Sequence, residues 1–302
     1  MGIETRKKVS CHVITYNHVN YISKCIDGIL MQETNFDFEI IIGDDVSTDG
    51  TREIVERYAK EHPDLIRLNL RKKRGTGIPG KENFVSTLEM CTGEYISLCD
   101  GDDYWTDPLK LQKQIDFLEK NKEYSVVFHK VKEINSAGIT AGPVLSSPQT
   151  EETYSLEDLA TGNFIHTPSI VFRNHFQELP LWFVYSPIGD YPLHMLNAQY
   201  GLIKYFPDEM AAYRTGSGLW SAQSRTYQFV NTMFTLKFLI SHFSGKDRIV
   251  NALSQQHDNL MNALSDEKEI IIETSPKKIA KNISFQDLFI IFFKKLKYSL
   301  KN

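Results

Sequence analysis

A chain of 302 residues, 41% of them hydrophobic, is long enough for one large α/β domain with additions, or for two domains, around a filled core. Its 34 basic and 38 acidic residues leave a net charge of −4 with no dominant basic stripe, which argues against a nucleic-acid partner. Cys11, Cys25, Cys91 and Cys99 form no C-x-x-C pair and read as reduced, buried thiols of a cytosolic protein; the lack of an apolar signal region, or of any run of about 18 uncharged apolar residues, argues against secretion and a membrane span.

In chain order, the apolar, β-branched runs at Val9 to Thr15, Phe38 to Gly43, Leu65 to Leu70, Tyr95 to Cys99 and Tyr124 to Phe128 predict strands. Helix-length stretches lie between them, at Tyr21 to Gln32, Gly50 to Lys60, Lys81 to Cys91 and Pro108 to Asn121, the last with Thr106 as its expected N-cap. This alternation implies a mainly parallel central sheet flanked by helices, with a ligand site beyond the carboxyl ends of the strands. Ser136 to Thr150 reads as a loop or hairpin, and Ser155 to Asp158 as a capping box. Gly162 to Arg173 is expected as a strand, Asp190 to Tyr200 as a helix, and Ile203 to Arg214 as a strand pair or extended segment. A mostly helical C-terminal extension comes next, with helices at Thr226 to Phe243 and Ile249 to Leu264. The division expected is 1–135 for a nucleotide-binding half, 136–225 for an acceptor-side half of the same domain, and 226–302 for C-terminal helices.

Asp100-Gly101-Asp102-Asp103 ends one predicted strand, and carboxylates so close repel one another unless a cation or solvent compensates them. Hard oxygen ligands suit Mg²⁺ or Mn²⁺, which binds a few carboxylates together with substrate phosphates. Alternatively the run is a solvated acidic turn. Asp44-Asp45 ends a second strand and Thr15-Tyr16-Asn17 a first, so one sheet edge would gain groups able to pair with, and stack on, a nucleobase. Gly75-Thr76-Gly77-Ile78-Pro79-Gly80 fits G-x-G-x-x-G, but a dinucleotide fingerprint belongs after the first strand of its unit. The loop from Arg71 to Lys81 is instead a basic segment that approaches a diphosphate or faces water.

Val13 to Asn17, Tyr21-Ile22, Glu39 to Thr51, Asn83 and Gly93 to Asp103 resemble, in order and spacing over about 130 residues, glycosyltransferase family 2 of the GT-A fold. The resemblance implies a nucleotide-diphospho-sugar donor, usually UDP-linked, and a divalent metal. By motif match it implies Asp45 at the uracil, Tyr16 lining the base pocket with Thr15, Asn17 and Asn83 also on the donor side, Asp100 near the ribose, and Asp102 on the metal. Asp103 is equally explained as a helix cap.

Inverting transfer needs a base opposite the leaving diphosphate, and Asp190, in Ile188-Gly189-Asp190-Tyr191-Pro192, is the candidate. It stands where a helix is expected to begin, so an N-cap is the competing reading. The family often has Glu before this Asp; here the residue is Gly189. His194 shares the expected helix face, and His166 to Ser169 with Trp182 are placed on the acceptor side by topology. The family's downstream Tyr-Arg-x-His departs here to Tyr213-Arg214-Thr215-Gly216, leaving Arg214 as a phosphate contact and no His ligand. Ser217 to Trp220 reads as a lid. From Lys277 to Lys301, seven lysines accompany one acid, Asp287, on an amphipathic pattern. Residues 283–302 are therefore expected to contact an anionic bilayer, the enzyme body or a second subunit. Together these features predict an inverting transferase acting on a saccharide or lipid-linked acceptor in cell-surface polysaccharide synthesis, at the inner face of the membrane. The competing classes are a non-catalytic nucleotide-sugar binder and a nucleotidyltransferase.

Overall fold

The computed structural model describes residues 7–75, 77–140, 153–175, 178–216, 218 and 220–274, with the backbone alone over 266–274. Strands β1 (Val9–Thr15), β2 (Phe38–Asp44), β3 (Ile66–Leu70) and β4 (Tyr95–Asp100) alternate with helices α1 (Ile22–Leu30), α2 (Thr51–Glu61) and α3 (Lys81–Glu89). They pair in parallel in the order β3-β2-β1-β4, as short β-branched strands with helical crossovers dictate. Register sets Thr15 opposite Asp44 and Ile14 opposite Asp100, so three strand ends meet at one edge.

Beyond β4 the sheet becomes mixed. Its order continues β8-β6-β9-β5 with β5 (Tyr104–Trp105), β6 (Tyr124–Ile134), β8 (Val171–Arg173) and β9 (Leu202–Arg214), and β7 (Thr153–Tyr154) pairs with β9. Helices α4 (Lys110–Lys120), α5 (Leu156–Ala160), α6 (Asp190–Ala198), α7 (Arg225–His242) and α8 (Asp247–Thr274) complete the α/β architecture. Strand residues alternate between two cores. Val9, Cys11, Val13, Ile40 and Ile42 face α1, α2 and α4, while Ile41, Ile96 and Leu98 pack with residues of α3, α6, α7 and α8.

Two expectations are corrected, and a third is resolved in favour of its second alternative, an extended segment. Only Val171–Arg173 of the expected 162–173 strand pairs, because a 3₁₀ turn, Thr167–Ser169, contains Pro168, which lacks an N–H for a ladder. Residues 202–214 form one strand, parallel to β6, with register shifts that leave Pro207 and Asp208 outside the ladder. Thr106 does not cap α4, which begins at Lys110; Asp107 instead accepts from the Leu109 N–H at 2.8 Å. The capping box at Ser155 and Asp158 is present, and the four cysteines are free and buried. Among the described residues no helix is long and apolar enough to cross a membrane. Residues 141–150 of the expected loop and the basic tail at 277–302 lie outside the described residues.

Candidate active site

The carboxyl ends of β1, β2 and β4 open onto a cavity of about 480 Å³. Thr15, Tyr16, Asp45, Asn83, Asp100, Asp102 and Arg214 line it, and so does Asp190. Asn17 stands outside this wall. Its backbone is left-handed, with φ of 55°, and its side-chain oxygen accepts from the Thr48 N–H at 2.9 Å, so it latches the β1 and β2 loops together.

The two acids after β2 part company. Asp44 is fully buried and is held by Arg52, whose Nε donates at 2.7 Å. Asp45 faces the cavity. The turn that follows both acids begins with Val46 at φ of 64°, a strained conformation for a β-branched residue. Arg71 and Arg74 each place Nε 3.3 Å from an Asp45 carboxylate oxygen, and the Arg74 guanidinium lies 3.8 Å from the Tyr16 ring centroid. The surface that the resemblance assigns to a nucleobase is thus covered by two arginines. Asn83 donates to the Gly43 carbonyl at 2.9 Å, which anchors α3 against β2.

At the end of β4, Asp100, Asp102 and Asp103 have different neighbours. Asp103 is buried and one oxygen accepts from the Arg214 backbone N–H at 2.7 Å, so it ties β4 to β9 and does not cap a helix. Its other oxygen, also buried, has no hydrogen-bond partner. Burial holds the Asp100 and Asp103 carboxyls well above the usual carboxylate range, and Asp102 adds repulsion to both. Arg214 relieves little of this through its guanidinium. Its Nε donates to the Asp102 carbonyl at 2.9 Å and its Nη1 to the Asn135 carbonyl at 2.8 Å, so Arg214 clamps three chain segments at the cavity wall. Buried, undercompensated carboxylate oxygens fit a hard divalent cation. Among the described residues no three or more His, Cys, Asp or Glu side chains converge on one metal point, so the fit is to a cation that takes other ligands from phosphate or water.

Asp190 is the first residue of α6, with Gly189 in the N-cap position, and it faces the same cavity. His194 is fully buried one turn on. Burial lowers its pKa to about 4, and Nε2 has no partner, so it is a neutral imidazole in the core. His166 and Thr167 line the cavity; Trp182 does not, and it stacks on Phe238 of α7 at 5.8 Å. Gly218 and Trp220 of the expected lid also line it, whereas Ser217 and Leu219 lie outside the described residues.

Among the lining residues that the sequence reading did not single out is His18. His18 packs its ring against Gly101, with Nδ1 3.2 Å from the Thr15 hydroxyl, and its position directly after Tyr16-Asn17 was the available signal. Lys81, which the sequence leaves either approaching a diphosphate or facing water, is buried in the wall, on the same helix face as Phe84 and Leu88.

Parallel strands delivering acids to one edge, continued by a mixed sheet, make the GT-A fold of glycosyltransferases, and solved structures of that class agree. S. aureus TarS 1–349 in complex with UDP-GlcNAc superimposes with a TM-score of 0.54, 20% identity, and coverage of 85% of this chain and 83% of that one. The mannosyltransferase PcManGT from Pyrobaculum calidifontis, in complex with GDP-Man and Mn²⁺, gives 0.56, 17%, 96% and 80%. The family model "Glycosyl transferase family 2" matches residues 10–179, more than half of the chain, which belongs to that family. An uncharacterized protein of Mycobacterium tuberculosis is 41% identical over 212 residues, which are 68% of this chain and 59% of that protein. The chain therefore matches less than two thirds of that relative's length.

Proposed function

We propose that the chain transfers a sugar, with inversion, from a UDP-linked nucleotide sugar to a hydroxyl of a saccharide or lipid-linked acceptor in cell-surface polysaccharide synthesis. The observation that carries this reading is the convergence of Tyr16, Asp45, Asp100 and Asp102 on one side of a cavity that Asp190 enters from another element. Tyr16 and Asp45 receive the base after Arg74 moves aside, Asp100 accepts from the ribose, and Asp190 takes the acceptor proton. Asp102 is the residue to hold Mg²⁺ or Mn²⁺, which when bound supplies positive charge to the diphosphate leaving group. The complexes of the two structural neighbours, one with UDP-GlcNAc and one with GDP-Man and Mn²⁺, support a nucleotide-sugar ligand and a metal here.

Calorimetry with a panel of UDP- and GDP-sugars, with and without Mn²⁺, tests the reading. Metal-dependent binding of at least one donor is expected, and Asp102→Asn weakens it by about tenfold or more, the loss of one charged ligand. Metal-independent affinity in both proteins would remove Asp102 from this role.

The basic tail belongs to the same proposal. Residues 283–302 meet the anionic inner face of a bilayer, where a lipid-linked acceptor resides. Exposed aromatic residues at the cavity rim, Trp220 and Tyr227, suit such a surface. Deleting 283–302 is expected to abolish co-sedimentation with vesicles containing anionic lipid; unchanged co-sedimentation rejects the tail as the anchor.

A further inference from the structure

Lys81 begins α3, directly after the loop whose Arg71 and Arg74 hold Asp45. Its side chain turns inward, is 5% exposed, and donates from Nζ to the carbonyl of Ile188 at 2.8 Å. That carbonyl lies two residues before Asp190. The ammonium also sits 4.6 Å from the Phe183 ring centroid. Gly189 lies against the same groups: a Cβ there would stand 3.6 Å from Nζ and 3.4 Å from the Phe84 ring, ordinary contact distances. Where the resemblance expects an acidic side chain, this protein has a glycine with a buried amine beside it.

The arrangement makes a continuous path. Asp45 is held by the arginines of the 71–80 loop, that loop ends in Lys81, and Lys81 holds the backbone that leads into Asp190. We propose that Lys81 is a positioning residue for Asp190, fixing the Ile188–Gly189 backbone and coupling the placement of the base to the donor-side loop. This rests on Asp190 being the base of the proposed transfer. A buried ammonium with one carbonyl and aromatic faces for partners is costly, and this one lies on the cavity wall that Asp190 shares.

The charge itself has a signature. Burial lowers the Lys81 pKa to about 7, with Asp190 opposing the shift. The titratable groups that feel Asp190 are Lys81 from α3, His194 from α6, Asp100 from β4 and Tyr213 from β9. His194 is already neutral above pH 5, and burial and repulsion hold the Asp100 and Tyr213 pKa values above their ordinary ranges. The contribution of the ammonium is complete below its pKa and lost above it, so kcat is expected to fall as pH rises through 7 to 9, and Lys81→Arg, whose charge does not titrate there, separates this fall from any titration of Asp100.

The test uses the full-length protein with Mn²⁺, the donor that binds best in the calorimetric panel, and transfer or donor hydrolysis as readout. Lys81→Met is expected to lower kcat by about tenfold or more while donor Kd stays within about threefold. Lys81→Arg, which keeps its charge at every pH used, restores part of kcat and abolishes the fall between pH 7 and 9. Thermal melts confirm that both variants fold. Wild-type kcat in Lys81→Met, a parallel rise in donor Kd with kcat unchanged, or a wild-type pH profile in Lys81→Arg each overturns the proposal. A wild-type protein that binds no nucleotide sugar overturns the functional reading beneath it instead.

Discussion

Asp190→Asn is expected to lower the rate of sugar transfer by about 10³-fold while donor affinity stays within about twofold. The substitution preserves size at the start of α6 and removes the carboxylate that can accept a proton there. The residues proposed to hold the donor, Tyr16, Asp45, Asp100 and Asp102, lie at or just past the ends of β1, β2 and β4, and the proposed base Asp190 lies on α6, so the two proposed functions rest on different elements. Donor turnover measured with and without acceptor, beside calorimetry with the same donor, separates them. A non-catalytic binder would show the retained affinity but no rate to lose. Full activity in Asp190→Asn would move the base elsewhere on the cavity wall.

The second large effect is on stability. Lys110 is completely buried at the start of α4, donates to the Ser97 hydroxyl at 3.1 Å and lies 4.0 Å from the Trp105 ring centroid. Burial drives its pKa from 10.5 to about 7. Below pH 7 the folded and unfolded chains both carry the proton, so the cost of burying the charge is complete; between pH 7 and 10.5 the folded chain sheds it and the cost declines. From the shift, that cost is roughly 3–5 kcal/mol at pH 6. Lys110→Met fills the same space, keeps a favourable contact with Trp105, and leaves Ser97 bonded to the Ile170 carbonyl at 2.9 Å. Melting experiments are expected to show Tm raised by about 5 °C or more at pH 6, with the gain shrinking toward pH 9. A lower Tm at pH 6 would contradict this account.

The first half of the fold was legible because its strands are short, β-branched and separated by helices with clear apolar faces. The ends of β1, β2 and β4 were placed correctly, and with them Tyr16, Asp45, Asp100 and Asp102 at one cavity. The chain beyond Asn135 was harder to read. The long β9 takes β6 as a parallel partner some 80 positions away, and no local pattern in Ile203 to Arg214 encodes such a partner. Short β8 is stabilised by neighbours on both sides, so its three residues carry little signal of their own. Lys81 and Lys110 were misleading for a different reason. Composition treats lysine as a surface residue, yet both stand on buried helix faces, and only their phase relative to Phe84 and to Leu111, Gln114 and Leu118 marks them as interior. Asn17 and Arg214 sit where the motif puts them but bond to the chain itself, a choice that side-chain geometry makes and spacing does not.

The four buried thiols give the molecule a built-in clock. Cys25 and Cys99 lie with their sulfurs 3.7 Å apart immediately beneath Asp100, and Cys25 reaches that residue's carbonyl at 3.5 Å. Burial pushes the Cys11, Cys91 and Cys99 thiols up in pKa, so they remain protonated and unreactive while the sheet is closed. Modification by a small thiol reagent therefore times the opening of the chain around the acidic strand end, without any label having to be engineered in.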